Sequence, residues 1–133
     1  MKICLVVANF YPKTSKDLIA GSVNILKKEK INKYNIITTP GVFEIPFVIS
    51  KNIKKYDAFV ALGCVIKGQT PHFDFISRAA IDAIMHLSVS YKKPIGNGII
   101  TCLNQKQAND RSDPKKKNKG AEATIAAISL LRI

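Results

Sequence analysis

Four strand-like runs separated by segments of helical spacing constrain this chain more than any other feature: Ile3–Ala8, the short β-branched Asn35–Thr39, Ala58–Ile66 and Ile95–Leu103. The first and third are apolar throughout. A strand with one wet face alternates apolar and polar side chains, whereas a parallel strand covered on both faces reads as a continuous apolar run. Leu18, Ser22, Ile25 and Leu26 carry a helix to about Lys28, with Thr14-Ser15-Lys16-Asp17 resembling a capping box after a break at Pro12. A second helix is predicted from about Glu44 to Lys54, with Pro46 in its first turn. A third spans His72–Ser90 and gathers Phe73, Ile76, Ala80, Ala83, Ile84 and Leu87 on one face. A short polar helix over about Lys106–Arg111 and an alanine-rich one over Gly120–Leu131 complete the pattern, and Gly96-Asn97-Gly98 reads as an interruption of the fourth strand. Strands alternating with helices imply right-handed crossovers. The expected architecture is α/β, a three-layer α-β-α sandwich around a four-stranded parallel sheet, in one domain over residues 1–133.

Composition narrows the classes of function. With 47% apolar and 23% charged residues the chain lies outside the disordered range. No apolar run approaches the roughly 18 residues of a membrane span, and Met1-Lys2-Ile3-Cys4 leads straight into a strand without a secretory signal, so a cytoplasmic protein is expected. Cys4, Cys64 and Cys102 each sit in an apolar stretch with no C-x-x-C pairing, which reads as three buried free thiols and no metal site. The net charge is +12, yet 18 of the 21 cations are lysines, and only Lys115-Lys116-Lys117 approaches a cluster. Proteins that read DNA sequence lean on arginine. The charge reads as a solvated surface open to anionic substrates, with a basic nucleic-acid-binding or regulatory α/β module as the alternative.

In open parallel sheets the ligand lies beyond the C-terminal strand ends. That rule directs attention to Asn9–Tyr11, Thr39–Glu44, Cys64–His72 and Leu103–Arg111. In Lys67-Gly68-Gln69-Thr70-Pro71-His72, Thr70 is placed as N-cap and Pro71 as first helical residue, so backbone N–H groups and the helix dipole make an anion site. His72 then falls in the first turn, either as a surface histidine or as a group that takes and returns a proton near neutral pH. Phe43 and Glu44, on a connection stiffened by Pro40, Gly41 and Pro46, suit a flat heterocycle or a sugar hydroxyl, or else simply start a helix. Phe10 either stacks on a planar ring or covers the core edge. Arg111 is either a bidentate phosphate ligand or a solvated cation. A receiver-type signalling domain needs acidic residues where Asn9 stands, and a nicotinamide-binding domain needs a G-x-G-x-x-G that is absent here.

The ordered set Pro40-Gly41-x-Phe43-Glu44-Ile45-Pro46, Tyr56-Asp57-Ala58, Gly63-x-Val65-Ile66-x-Gly68-x-Thr70-x-His72-Phe73-Asp74, Gln107-Ala108-x-x-x-Arg111 and Asn118-Lys119-Gly120-Ala121-Glu122 resembles the lumazine synthase family over essentially the whole chain. The resemblance implies a flavodoxin-like sandwich and a transferase of riboflavin biosynthesis. Its substrates would be 5-amino-6-(D-ribitylamino)uracil and 3,4-dihydroxy-2-butanone 4-phosphate, its products 6,7-dimethyl-8-ribityllumazine, phosphate and water, with no cofactor. By resemblance, Phe10, Val42, Phe43, Glu44, Cys64, Val65, Ile66 and Asn97 contact the ribitylaminouracil. Gln69, Thr70 and Arg111 bind the phosphate, Lys119 assists, and His72 moves protons. Asn97 departs from the large apolar side chain common there, and Tyr11 and Lys67 depart from a small polar residue and an arginine. The resemblance further implies a homopentamer with active sites between neighbours, Arg111 arriving from the adjacent subunit, and riboflavin synthase as functional partner, without nucleic acid or membrane. A first strand starting within three residues of Met1 favours that pentamer over a capsid.

Overall fold

The computed structural model of the chain describes residues 1–133. Four strands, β1 (Ile3–Ala8), β2 (Tyr34–Thr39), β3 (Ala58–Ile66) and β4 (Ile95–Cys102), form one sheet in the order β2-β1-β3-β4, every neighbouring pair parallel. Five helices cover it: α1 (Pro12–Lys28), α2 (Ile45–Lys51), α3 (His72–Tyr91), α4 (Gln105–Ser112) and α5 (Lys119–Leu131). The three-layer sandwich and its four-stranded parallel sheet are as expected.

The two faces of the sheet follow from the period of two along a strand. Ile3, Leu5 and Val7 of β1 join Val60 and Leu62 of β3 beneath α1, α4 and α5. Cys4, Val6 and Ala8 join Phe59 and Ala61 beneath α2 and α3. Because both faces are covered, every residue of β1 is buried, and this explains its unbroken apolar run. All three cysteines are free and buried. No helix is long and apolar enough to cross a membrane.

Several local expectations are corrected. Helix α1 starts at Pro12, whose missing N–H costs nothing in a first turn, so Thr14-Ser15-Lys16-Asp17 lies inside the helix rather than capping it. Thr14 and Ser15 are buried, and the Ser15 hydroxyl donates to Ala8 O, tying the helix start to the end of β1. The second helix ends at Lys51, with Asn52 as C-cap, and is preceded by a 3-10 turn over Val42–Glu44. Thr70 does not cap α3; Pro71 occupies the N-cap position, without a side-chain hydrogen bond. Finally, β4 runs unbroken through Gly96-Asn97-Gly98. The two glycines face α5, and a Cβ on Gly96 would come within 2.1 Å of Ala123 O.

Candidate active site

The chain leaves β1 toward β2 and leaves β3 toward β4, in opposite directions across the sheet. Such a switch point opens a crevice beyond the strand ends. A cleft of about 580 Å³ lies there. Three of the four segments singled out from sequence meet in it: Phe10 and Tyr11 after β1, Pro40 to Glu44 after β2, and Cys64 to Ile66 with Gly68, Thr70 and His72 after β3.

Local structure explains how each group is held. Thr39 Oγ1 donates to Gly41 O at 2.8 Å, closing the Pro40-Gly41 turn that starts the 3-10 segment carrying Phe43 and Glu44. Gly63 lets that segment lie against β3, since a Cβ there would stand 2.8 Å from Val42 Cγ2. Phe10 is 69% exposed, and Tyr11 braces it edge-on at 5.0 Å and 73°. The cleft therefore presents two exposed aromatic rings, Phe10 and Phe43, around a buried apolar floor of Val42 and Cys64. Burial pushes the Cys64 thiol up to about 12, and the neighbouring Cys102 adds to the effect. A thiol so disfavoured as thiolate acts as an apolar wall rather than as a nucleophile.

At the other end of the cleft, the hydrogen-bond ladder of α3 begins with the Asp74 and Phe75 N–H groups on Pro71 O. The N–H groups before them have no partner within the helix, and an anion at this end is favoured by the helix dipole. His72 stands there as the first residue of α3 and lines the cleft. Gln69 belongs to the same loop but does not line it.

Three expected site residues lie elsewhere. Asn97, Arg111 and Lys119 line a separate cavity of about 250 Å³ with Ile99, Ile100 and Thr101 of β4. This strand is an edge of the sheet, and Asn97 Oδ1 accepts from Ile99 N–H at 3.1 Å. Arg111 Nη1 donates to Thr101 O at 2.9 Å. One chain thus carries a cleft rich in aromatic and apolar groups and, apart from it, a cationic cavity at its sheet edge. Sequence reasoning missed Phe73 and Ile76 as lining groups, although their spacing already put them on the inward face of α3.

The model for 6,7-dimethyl-8-ribityllumazine synthase matches residues 1–133. The chain belongs to the 6,7-dimethyl-8-ribityllumazine synthase family. It is 42% identical over 135 residues to the 6,7-dimethyl-8-ribityllumazine synthase of Bartonella bacilliformis, covering 98% of this chain and 88% of that protein. The 6,7-dimethyl-8-ribityllumazine synthase 1 of Rhodopseudomonas palustris is 40% identical over 139 residues, with 99% of this chain and 85% of that protein covered. That of Buchnera aphidicola subsp. Schizaphis graminum is 39% identical over 136 residues, covering 98% and 86%. Family membership extends over both the cleft and the cationic cavity.

Proposed function

We propose that this chain is a lumazine synthase, condensing 5-amino-6-(D-ribitylamino)uracil with 3,4-dihydroxy-2-butanone 4-phosphate in the cleft beyond β1 and β3. The observation that carries the reading is the convergence of Phe10, Phe43, Glu44, Thr70 and His72 on one cleft, in a chain matched by that family's model from end to end. Phe10 stacks on the pyrimidine, while Val42, Phe43, Glu44, Cys64, Val65 and Ile66 hold the ring and the ribityl hydroxyls. Gln69 and Thr70, in the loop that leads into the N-terminus of α3, receive the phosphate.

The amine of the uracil adds to the ketone, and loss of water gives an imine. Loss of a proton from the neighbouring carbon with departure of phosphate leaves an enol, which takes up a proton at its terminal carbon to give a methyl ketone. The ribitylamino nitrogen closes the second ring on that new carbonyl with loss of a second water. His72 moves protons between these steps. Both substrates are intrinsically reactive, so holding them in register is the enzyme's main contribution. The product passes to riboflavin synthase as functional partner, in the cytoplasm.

The cationic cavity belongs to the same reaction in an assembled form. We propose a homopentamer in which Arg111, with Lys119 and Asn97, is supplied by the β4 edge of one subunit to the cleft of its neighbour. Phe75, Met85 and Val89 fall on one outward stripe of α3 and are largely exposed, as an uncovered subunit contact would be.

Incubation with both substrates tests the activity, read as lumazine absorbance and fluorescence; no lumazine overturns it. The shared site is tested by co-refolding two impaired forms, Phe10→Ala with His72→Ala in one chain and Arg111→Ala in the other. Random mixing restores about one quarter of wild-type sites if clefts and edges pair between neighbours. Activity no higher than that of the parents overturns the shared site.

A further inference from the structure

Asn118 is only 3% exposed, directly after the exposed run from Pro114 to Lys117, and its side-chain amide meets three separate helices. Nδ2 donates to Asp17 O of α1 at 2.9 Å and to Ser112 O, the last residue of α4, at 2.6 Å. Oδ1 accepts from Ala121 N–H of α5 at 2.9 Å. A carboxamide is suited to this place because it offers two donors and an acceptor in one plane. The helix α1 is shaped to admit it, since a Cβ on Gly21 would stand 2.0 Å from Asn118 Oδ1.

The position of this knot matters. Ser112 directly follows Arg111, and Lys119 directly follows Asn118. The two cations of the 250 Å³ cavity are therefore the neighbours in sequence of the two stapled points, while Pro114 to Lys117 between them stay exposed. The other anchors of that excursion are local or exposed: Lys116 N–H on Asp113 O, Lys115 N–H on Asp113 Oδ1, Asn118 N–H on Lys116 O, and the exposed ion pair of Lys116 with Asp110 of α4. We infer that Asn118 is a positioning residue for phosphate binding: its buried amide sets the separation of Arg111 and Lys119 by clamping the end of α4 to the start of α5. The inference rests on the proposed role of Arg111 in holding the phosphorylated substrate.

The test compares Asn118→Ser, which keeps an N-cap acceptor but cannot bridge to α4, and the volume-matched Asn118→Asp, which keeps the acceptor and loses both donors. Arg111→Lys is run beside them. Expected for both Asn118 variants is a KM for butanone phosphate raised about tenfold, the equivalent of one lost hydrogen bond's worth of alignment. The inhibition constant of inorganic phosphate weakens in parallel, and the KM for ribitylaminouracil stays within about twofold. A purely structural role predicts instead less folded enzyme with both KM values unchanged, and that result overturns the inference. Unchanged KM values in the Asn118 variants beside a raised one in Arg111→Lys overturn the inference alone. Unchanged values in Arg111→Lys as well overturn the reading beneath it and the inference together.

Discussion

Replacing Arg111 by lysine preserves the charge and removes the geometry. One edge of the guanidinium is already engaged, with Nη1 on Thr101 O at 2.9 Å and 3.7 Å from Cys102 Sγ. The remaining donors of the planar group stay available to a phosphate in the fork that arginine offers. A lysine ammonium has no second planar edge, so it holds either the Thr101 carbonyl or a single phosphate oxygen. The substitution removes at least one charge-assisted hydrogen bond, worth about 1.5–3 kcal/mol. At about 1.4 kcal/mol per factor of ten, kcat/KM for butanone phosphate falls about 10–150-fold. Steady-state kinetics with each substrate varied in turn separates the terms: the KM for the phosphate rises while that for the uracil holds. Wild-type kinetics, or an equal rise in both KM values, refutes the assignment.

Three further outcomes follow from the same geometry. His72→Ala slows turnover about 10–100-fold with an unchanged melting temperature, less than a general base usually costs because the substrates react unaided; full activity refutes the proton-transfer role. Gly96→Ala forces a Cβ to 2.1 Å from Ala123 O, so α5 must lift from β4; overpacking of about 1–3 kcal/mol lowers the melting temperature by several degrees, and an unchanged value refutes the close seat. Burial pushes Cys4 up to about 11 and Cys64 to about 12 from an ordinary 9.0, so the folded state favours the protonated thiols. Their contribution is fully present below pH 9 and is lost as pH climbs from there toward 11–12. Chemical denaturation midpoints across that range should fall, and iodoacetamide at pH 8 should spare both thiols in the folded protein. Rapid labelling of the native enzyme refutes the burial argument.

Much of this protein was legible in its residues. The unbroken apolar runs of β1 and β3 required a sheet covered on both faces, and the covered sheet required helices between its strands. The crevice rule then singled out Phe10, Phe43, Glu44 and His72 from the residues alone. Motif order carried the family. Tertiary structure decided what local pattern leaves open. Thr14 and Ser15 carry the side chains of a cap, but Pro12 fits the first helical position, so they became core contacts. Gly96 and Gly98 look like a break in β4 and are instead the seat of α5. Asn118 reads as a polar loop residue and is a buried clamp across three helices. Above all, the sheet order put β4 at an edge, which parts Arg111 and Lys119 from the cleft of their own chain. Strand order is settled by how whole layers pack, through contacts distant in sequence, and no window of local residues encodes it.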